Sequence, residues 1–154
     1  MPEEKPKVAI SIITLGVDDV ERSVRFYTSF GWEMSPDSDP AMCTFINTPS
    51  TVLGLVGYEF LANDALLKAK PRAQYQGFTL AVNGSSPEEV DAIFENAIRN
   101  GGTAHQQPQW KDWGGYDGYS GYFLDPDGYP WEVAYAPFLE LTDDGRLMPK
   151  SASE

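Results

Sequence analysis

This sequence is short of the residues that most often carry chemistry. Its 154 positions hold one cysteine, Cys43, and one histidine, His105. A lone cysteine excludes an internal disulfide and every cysteine-rich zinc site. Cys43 and His105 stand far apart in ordinary contexts and offer no nucleophile–base pair for covalent catalysis. Basic residues are scarce too: 11 Lys and Arg stand against 23 Asp and Glu, giving a formal net charge of −12 and a pI near 4.3. Such a surface repels phosphate backbones and anionic lipid, so neither a nucleic-acid nor a membrane partner is expected. No apolar run approaches the roughly 18 residues of a membrane helix. The first eight residues lack the basic-then-apolar order of a secretory signal, so a cytoplasmic protein is the expectation. Gly114-Gly-Tyr-Asp-Gly118 has neither a following helix nor a lysine and is no phosphate-binding loop.

Aromatic residues, by contrast, are plentiful. Eight Phe, eight Tyr and four Trp within 42% hydrophobic content are ample for one core. The densest signal is Gly121-Tyr-Phe-Leu-Asp-Pro-Asp-Gly-Tyr-Pro-Trp-Glu-Val-Ala-Tyr-Ala-Pro137, two short strands around a tight turn. Pro126 presets φ, Asp125 and Asp127 can bond nearby backbone, and Gly128 accepts φ > 0. Alternation along Trp131–Tyr135 puts Glu132 on one face with Ala134 and Ala136, and Trp131, Val133 and Tyr135 on the other. A carboxylate beside small residues leaves room for a ligand.

Upstream, Val8–Val17 reads as a strand buried on both faces. Asp18 with Glu21 reads as a helix cap, followed by Val20, Val24, Tyr27 and Phe30 at helical spacing and a stop at Gly31. Trp32–Met34 is a short strand, and Met42–Asn47 with Thr51–Tyr58 a hairpin. Phe60–Lys70 reads as a connecting helix and Gln76–Asn83 as a strand. Ser86, Pro87 and Glu89 give a strong helix start, with an apolar face of Val90, Ile93, Phe94, Ala97 and Ile98 that ends at Gly101-Gly102. Thr103–Gln107 is a short strand. Trp110-Lys-Asp-Trp-Gly-Gly-Tyr-Asp-Gly-Tyr-Ser120 reads as an aromatic, glycine-rich loop, and the tail from Glu140 is polar and surface-bound or frayed.

The two halves repeat one order. Thr14-Leu-Gly-Val17 opens a helix after a strand, and Thr79-Leu-Ala-Val82 does so again 65 residues later. Each half reads strand, helix, strand, strand, strand, and such a period decides the fold. Two units of this kind bury their bare sheet faces together. The expected architecture is α+β: two βαβββ units forming a curved mixed sheet around a cleft, helices outside. The expected layout is an arm at 1–7, a domain at 8–138 and a tail at 139–154. Within the domain, repeats at about 8–58 and 75–137 are joined by a linker at 59–74.

The stretch Ile13-Thr-Leu-Gly-Val-Asp-Asp-Val-Glu-Arg-Ser-Val-Arg-Phe-Tyr27, with Phe30-Gly-Trp32 and the closing Tyr119–Pro137 segment, resembles the glyoxalase/bleomycin-resistance/dioxygenase superfamily. Its members are also called vicinal oxygen chelate proteins. The resemblance implies four metal-ligand slots, at about Ile12, Gly54, Gly77 and Glu132, and among these residues Glu132 alone can ligate. It also implies metal-free relatives that bind or sequester small molecules, and two-fold dimers that sometimes complete the cleft.

The expectation is therefore a homodimeric binding protein without a cofactor, taking a small aromatic or cationic organic molecule. A lyase, isomerase or dioxygenase using a divalent metal is the alternative. Candidate ligand-binding residues are Trp110, Trp113, Tyr116, Tyr122, Phe45 and Glu132. Rings of this kind stack on flat ligands, and Tyr and Trp add polar handles. Three roles stay open for Glu132: general base, receptor of a cationic or hydroxyl-bearing group, or structural carboxylate bonded to a Tyr or Trp.

Overall fold

A computed structural model describes residues 4–148. The first unit runs β1 (Ile12–Val17), α1 (Val20–Thr28), β2 (Glu33–Met34), β3 (Thr44–Asn47) and β4 (Val52–Gly57). A short helix, α2 (Tyr58–Asp64), leads into the linker. The second unit is β5 (Leu80–Asn83), α3 (Pro87–Arg99), β6 (Thr103–Asp112), β7 (Asp117–Leu124) and β8 (Pro130–Tyr135). Each unit forms a four-stranded mixed sheet, ordered β1-β4-β3-β2 in the first and β5-β8-β7-β6 in the second. The expected α+β fold of two βαβββ modules is what the chain adopts.

Helix α1 is the element both modules share. It lies on the face of the first sheet that carries Leu15, Val17, Ile46, Leu53 and Leu55, all buried in one core cluster. From its other side, Phe26 meets Phe123 edge-on, with centroids 5.9 Å apart, and Tyr27 accepts the Trp131 Nε1–H bond at 3.1 Å. Helix α3 packs its buried Val90, Phe94 and Ala97 against the same face of the second sheet. Both sheets thus turn their apolar faces toward one helical layer, which removes both from water at once.

Several boundaries differ from the sequence reading. The first strand begins at Ile12, because β4 begins opposite it at Val52; Val8 and Ile10, without a ladder partner, are 88% and 77% exposed. Helix α1 is capped by Asp19, whose Oδ1 accepts the Arg22 N–H at 3.0 Å. Asp18 is instead engaged by Arg72 of the linker, at 3.1 and 3.2 Å. Helix α2 starts at Tyr58 and ends at Asp64, well short of Lys70, and β5 starts only at Leu80. The start of α3 matches its signal: Ser86 Oγ accepts the Glu89 N–H at 3.1 Å with Pro87 in the first turn.

The largest difference is β6, which runs through Trp110 to Asp112 instead of stopping near Gln107. Irregular register between Ala104 and Gln109 hides the strand period there, and the turn proper is confined to 113–116. The described part of the tail is ordered as well. Leu141 bridges Leu147, and Met148 N–H donates to the Glu140 carbonyl at 2.7 Å; residues 149–154 lie outside the described residues.

Candidate functional site

The second sheet builds one wall of polar and aromatic groups. Glu132 on β8 pairs across the ladder with Tyr122 on β7, and Ala134 pairs with Ser120. Because strand side chains alternate, these four face away from Trp131 and Val133, and so away from the helical layer. Burial and the adjacent Glu132 carboxylate raise the Tyr122 phenol above its usual range. That tyrosine pairing is one of the roles the sequence left open for Glu132.

Lys111, on the extended part of β6, joins the same wall. Its Nζ donates to Ser120 Oγ at 2.7 Å and to Gln106 Oε1, and lies 5.1 Å from the Tyr122 ring centroid. Burial lowers the Lys111 pKa, and the field of Glu132 partly opposes that shift. Sequence reasoning missed this residue because it was embedded in what read as a loop.

Trp113 covers the far end of the wall. A Cβ placed on Gly118, which shares the face of Ser120 and Tyr122, would come within 2.0 Å of the Trp113 ring. The ring therefore lies flat on glycine, where any side chain would displace it. Phe138 meets Trp113 at 6.0 Å and Tyr116 at 5.0 Å. Trp113 and Tyr122 thus lie with Glu132 along one side of the sheet, and the Tyr116 ring is linked to that of Trp113 through Phe138.

Two expected residues stand elsewhere. Trp110 is a strand residue on the opposite face, 5.4 Å from the Tyr119 ring, and the Tyr119 hydroxyl donates to Asp91 of α3 at 2.7 Å. Phe45 lies on the first sheet, in a row with Gly54 and Thr14. A Cβ on Gly54 would meet Thr14 Oγ1 at 3.0 Å and Cys43 Sγ at 3.2 Å, so these residues form a second, small-residue wall. This wall too faces away from α1 and α3, and α2 covers its Gly16 end, where a Cβ would come within 2.9 Å of the Tyr58 ring. Within one chain, the two walls of the expected cleft point to different sides.

The slots implied for a metal can now be placed. The repeat aligns Gly16 with Ala81; Gly16 pairs with Val56 and Ala81 with Glu132. Val56, and not Gly54, is therefore the counterpart of Glu132, and it is 5% exposed. Gly77 precedes β5 with φ +91°, and Ile12 is aliphatic. Among the described residues no group of three or more His, Cys, Asp or Glu side chains is placed to hold a metal ion. A zinc, iron or nickel centre needs about three such donors, so this donor set does not fit one. His105, on β6, joins no such group.

A pair of βαβββ modules with strand order 1-4-3-2 in each defines a recognisable class. The model of the glyoxalase/bleomycin resistance protein/dioxygenase superfamily matches residues 9–133, and the chain belongs to that superfamily. Among solved structures, a glyoxalase-related enzyme from Fulvimarina pelagi is similar at 28% identity, covering 93% of this chain and 99% of its own, with a TM-score of 0.77. A glyoxalase/bleomycin resistance protein from Albidiferax ferrireducens T118 is similar at 27% identity, with 81% and 97% covered and a TM-score of 0.60. A family enzyme from Burkholderia phytofirmans PsJN shares the fold at 19% identity, with 84% and 99% covered and a TM-score of 0.69. No curated protein matches the chain. No helix among the described residues is long and apolar enough to cross a membrane.

Proposed function

We propose that this protein binds a small, partly aromatic organic molecule on the Glu132 wall, without a metal ion, as part of a two-fold dimer. One observation carries the reading. Trp113, Tyr122 and Glu132 converge on a sheet face that none of the three helices covers. Rings there supply area for stacking, and the carboxylate receives an ammonium or hydroxyl group of the ligand.

The separation of the walls supports the dimer. A cleft needs two sides, and the Phe45 wall of a second copy supplies the missing one. Val8, Ile10 and Ile12, exposed at 88%, 77% and 46%, give that copy an apolar strip to cover beside the open edge of β1. Exposed apolar strips on unpaired edges are common seats of association.

A screen of aromatic amines, alcohols and acids by saturation-transfer NMR tests the reading. Binding that is lost in Trp113→Ala and weakened in Glu132→Gln supports it; binding indifferent to both substitutions sinks it. The second reading, a metal-dependent lyase or isomerase, draws on the Fulvimarina pelagi neighbour, titled a glyoxalase-related enzyme. Near-stoichiometric metal in purified protein that disappears in Glu132→Ala would favour it over binding alone.

A further inference from the structure

Lys111 is a cation fixed in place without a contacting anion. Its two acceptors, Ser120 Oγ at 2.7 Å and Gln106 Oε1, are neutral. Among the described residues the ion pairs belong to Arg22, Arg72 and Arg146, and no carboxylate makes one with Lys111. The other cations without an ion pair, among them Arg25, Lys68, Lys70 and Arg99, are exposed, whereas Lys111 is half-buried. Glu132 acts on the ammonium through its field only.

An ammonium has three donors. Two are spent on the wall itself and hold the group from beneath, since Ser120 is fully buried. The third is left for a ligand. Lys111 is also the ladder partner of Gly118, the residue that Trp113 covers, so the charge and the ring lie side by side. The facing wall expected from a second copy, with Thr14, Cys43, Phe45 and Gly54, brings no charge to compete.

We infer that Lys111 is the carboxylate-recognising residue of the site. The ligand is then a small aromatic carboxylate whose ring rests at Trp113 and whose ammonium or hydroxyl group meets Glu132. This rests on the proposed binding role of the Glu132 wall and adds its specificity. A charge-assisted bond to a half-buried ammonium is stronger than a neutral one and discriminates against ligands that lack the acid.

Isothermal titration with three matched probes, phenylacetate, 2-phenylethanol and 2-phenylethylamine, decides the matter. Wild-type protein is expected to bind phenylacetate about tenfold or more tighter than 2-phenylethanol. Lys111→Met is expected to remove that preference, and Lys111→Arg to restore part of it. Equal binding of acid and alcohol, or an acid preference that survives Lys111→Met, overturns the inference. If the alcohol or amine then still depends on Trp113 and Glu132, the proposed site stands without its carboxylate specificity. Failure of all three probes to bind overturns both. Where Lys111→Met does not fold, ionic strength carries the decision on wild-type protein: an acid preference that salt leaves unchanged overturns the assignment.

Discussion

The Tyr27 hydroxyl donates to Asp125 Oδ2 at 2.5 Å while accepting the Trp131 indole N–H at 3.1 Å. One phenol on α1 thereby joins the β7–β8 turn and strand β8 across the shared core. Asp125 Oδ1 in turn accepts the N–H groups of Asp127 and Tyr129, each at 2.9 Å, so the turn and the helix hold each other. Tyr27→Phe keeps the ring but leaves a buried carboxylate oxygen and an indole N–H unpaired. Loss of about 1–3 kcal/mol is expected, read by urea unfolding as a shift in midpoint with an unchanged slope.

Arg72 anchors the linker to both modules. Its guanidinium bonds Asp18, the Gly16 carbonyl at 3.1 Å and the Tyr129 hydroxyl at 3.3 Å, and lies over the Tyr58 ring. A lysine cannot reproduce a planar fork. Arg72→Lys is therefore expected to destabilise by roughly 1–2 kcal/mol. Limited proteolysis should then cut within residues 65–79 faster than in wild type. An unchanged cleavage rate and midpoint would show that the linker is held by other contacts.

Gly118→Ala probes the aromatic end of the wall without touching any polar group. The added methyl meets the Trp113 ring and must expel it. Aromatic ligands are expected to lose about tenfold in affinity, in line with the loss of one stacking partner. Trp113 emission should shift to the red as the ring enters water. Retained affinity with a displaced ring would remove Trp113 from the site.

The charge of Lys111 sets a pH limit. Burial favours its neutral form and lowers its pKa in the fold. The ammonium is complete well below that lowered value and is lost as pH rises through it. Phenylacetate affinity should accordingly decline at a lower pH than an ordinary lysine near 10.4 would dictate. In Lys111→Arg the affinity should stay flat over the same range, because a guanidinium does not titrate there. Parallel curves for the two proteins would assign the decline to another group.

Ile10→Asp places a charge in the exposed strip beside β1. Sedimentation equilibrium is expected to show a dimer for wild type and a monomer for the variant, with ligand binding lost in step. A monomeric wild type that binds ligand would mean that one wall suffices.

Much of the architecture was written in local signals. Ser86, Pro87 and Glu89 announced α3, and the Asp125–Gly128 turn with its flanking alternation announced the final hairpin. The 65-residue repeat carried the pairing of the modules. What local reading lost were features set by partners distant in sequence. Val8 and Ile10 have strand-like side chains, yet β4 does not extend to meet them. Asp18 and Asp19 are equivalent as caps until Arg72 arrives from 54 positions away. Lys111 lay hidden because Pro108 and the irregular register before it disrupt the strand period. Its bond to Ser120 forms only once β6 and β7 are paired. The counterpart of Glu132 likewise needed strand register: Gly54 and Val56 share a face, and only the ladder distinguishes them.

The sharing of α1 also has a consequence for synthesis on the ribosome. The first module emerges complete in sequence by Gly57, but Phe26 and Tyr27 then lack their partners on the second sheet. Phe123, Asp125 and Trp131 arrive about a hundred residues after the helix they cover. The Asp18 N–H bond to Asp127 spans 109 residues in the same way. Long-range closure of this kind is slow and leaves apolar surface open meanwhile. The nascent chain thus holds an unfinished core until its last strand clears the exit tunnel, and a ribosome stalled before Trp131 should display a client for chaperones rather than a folded half.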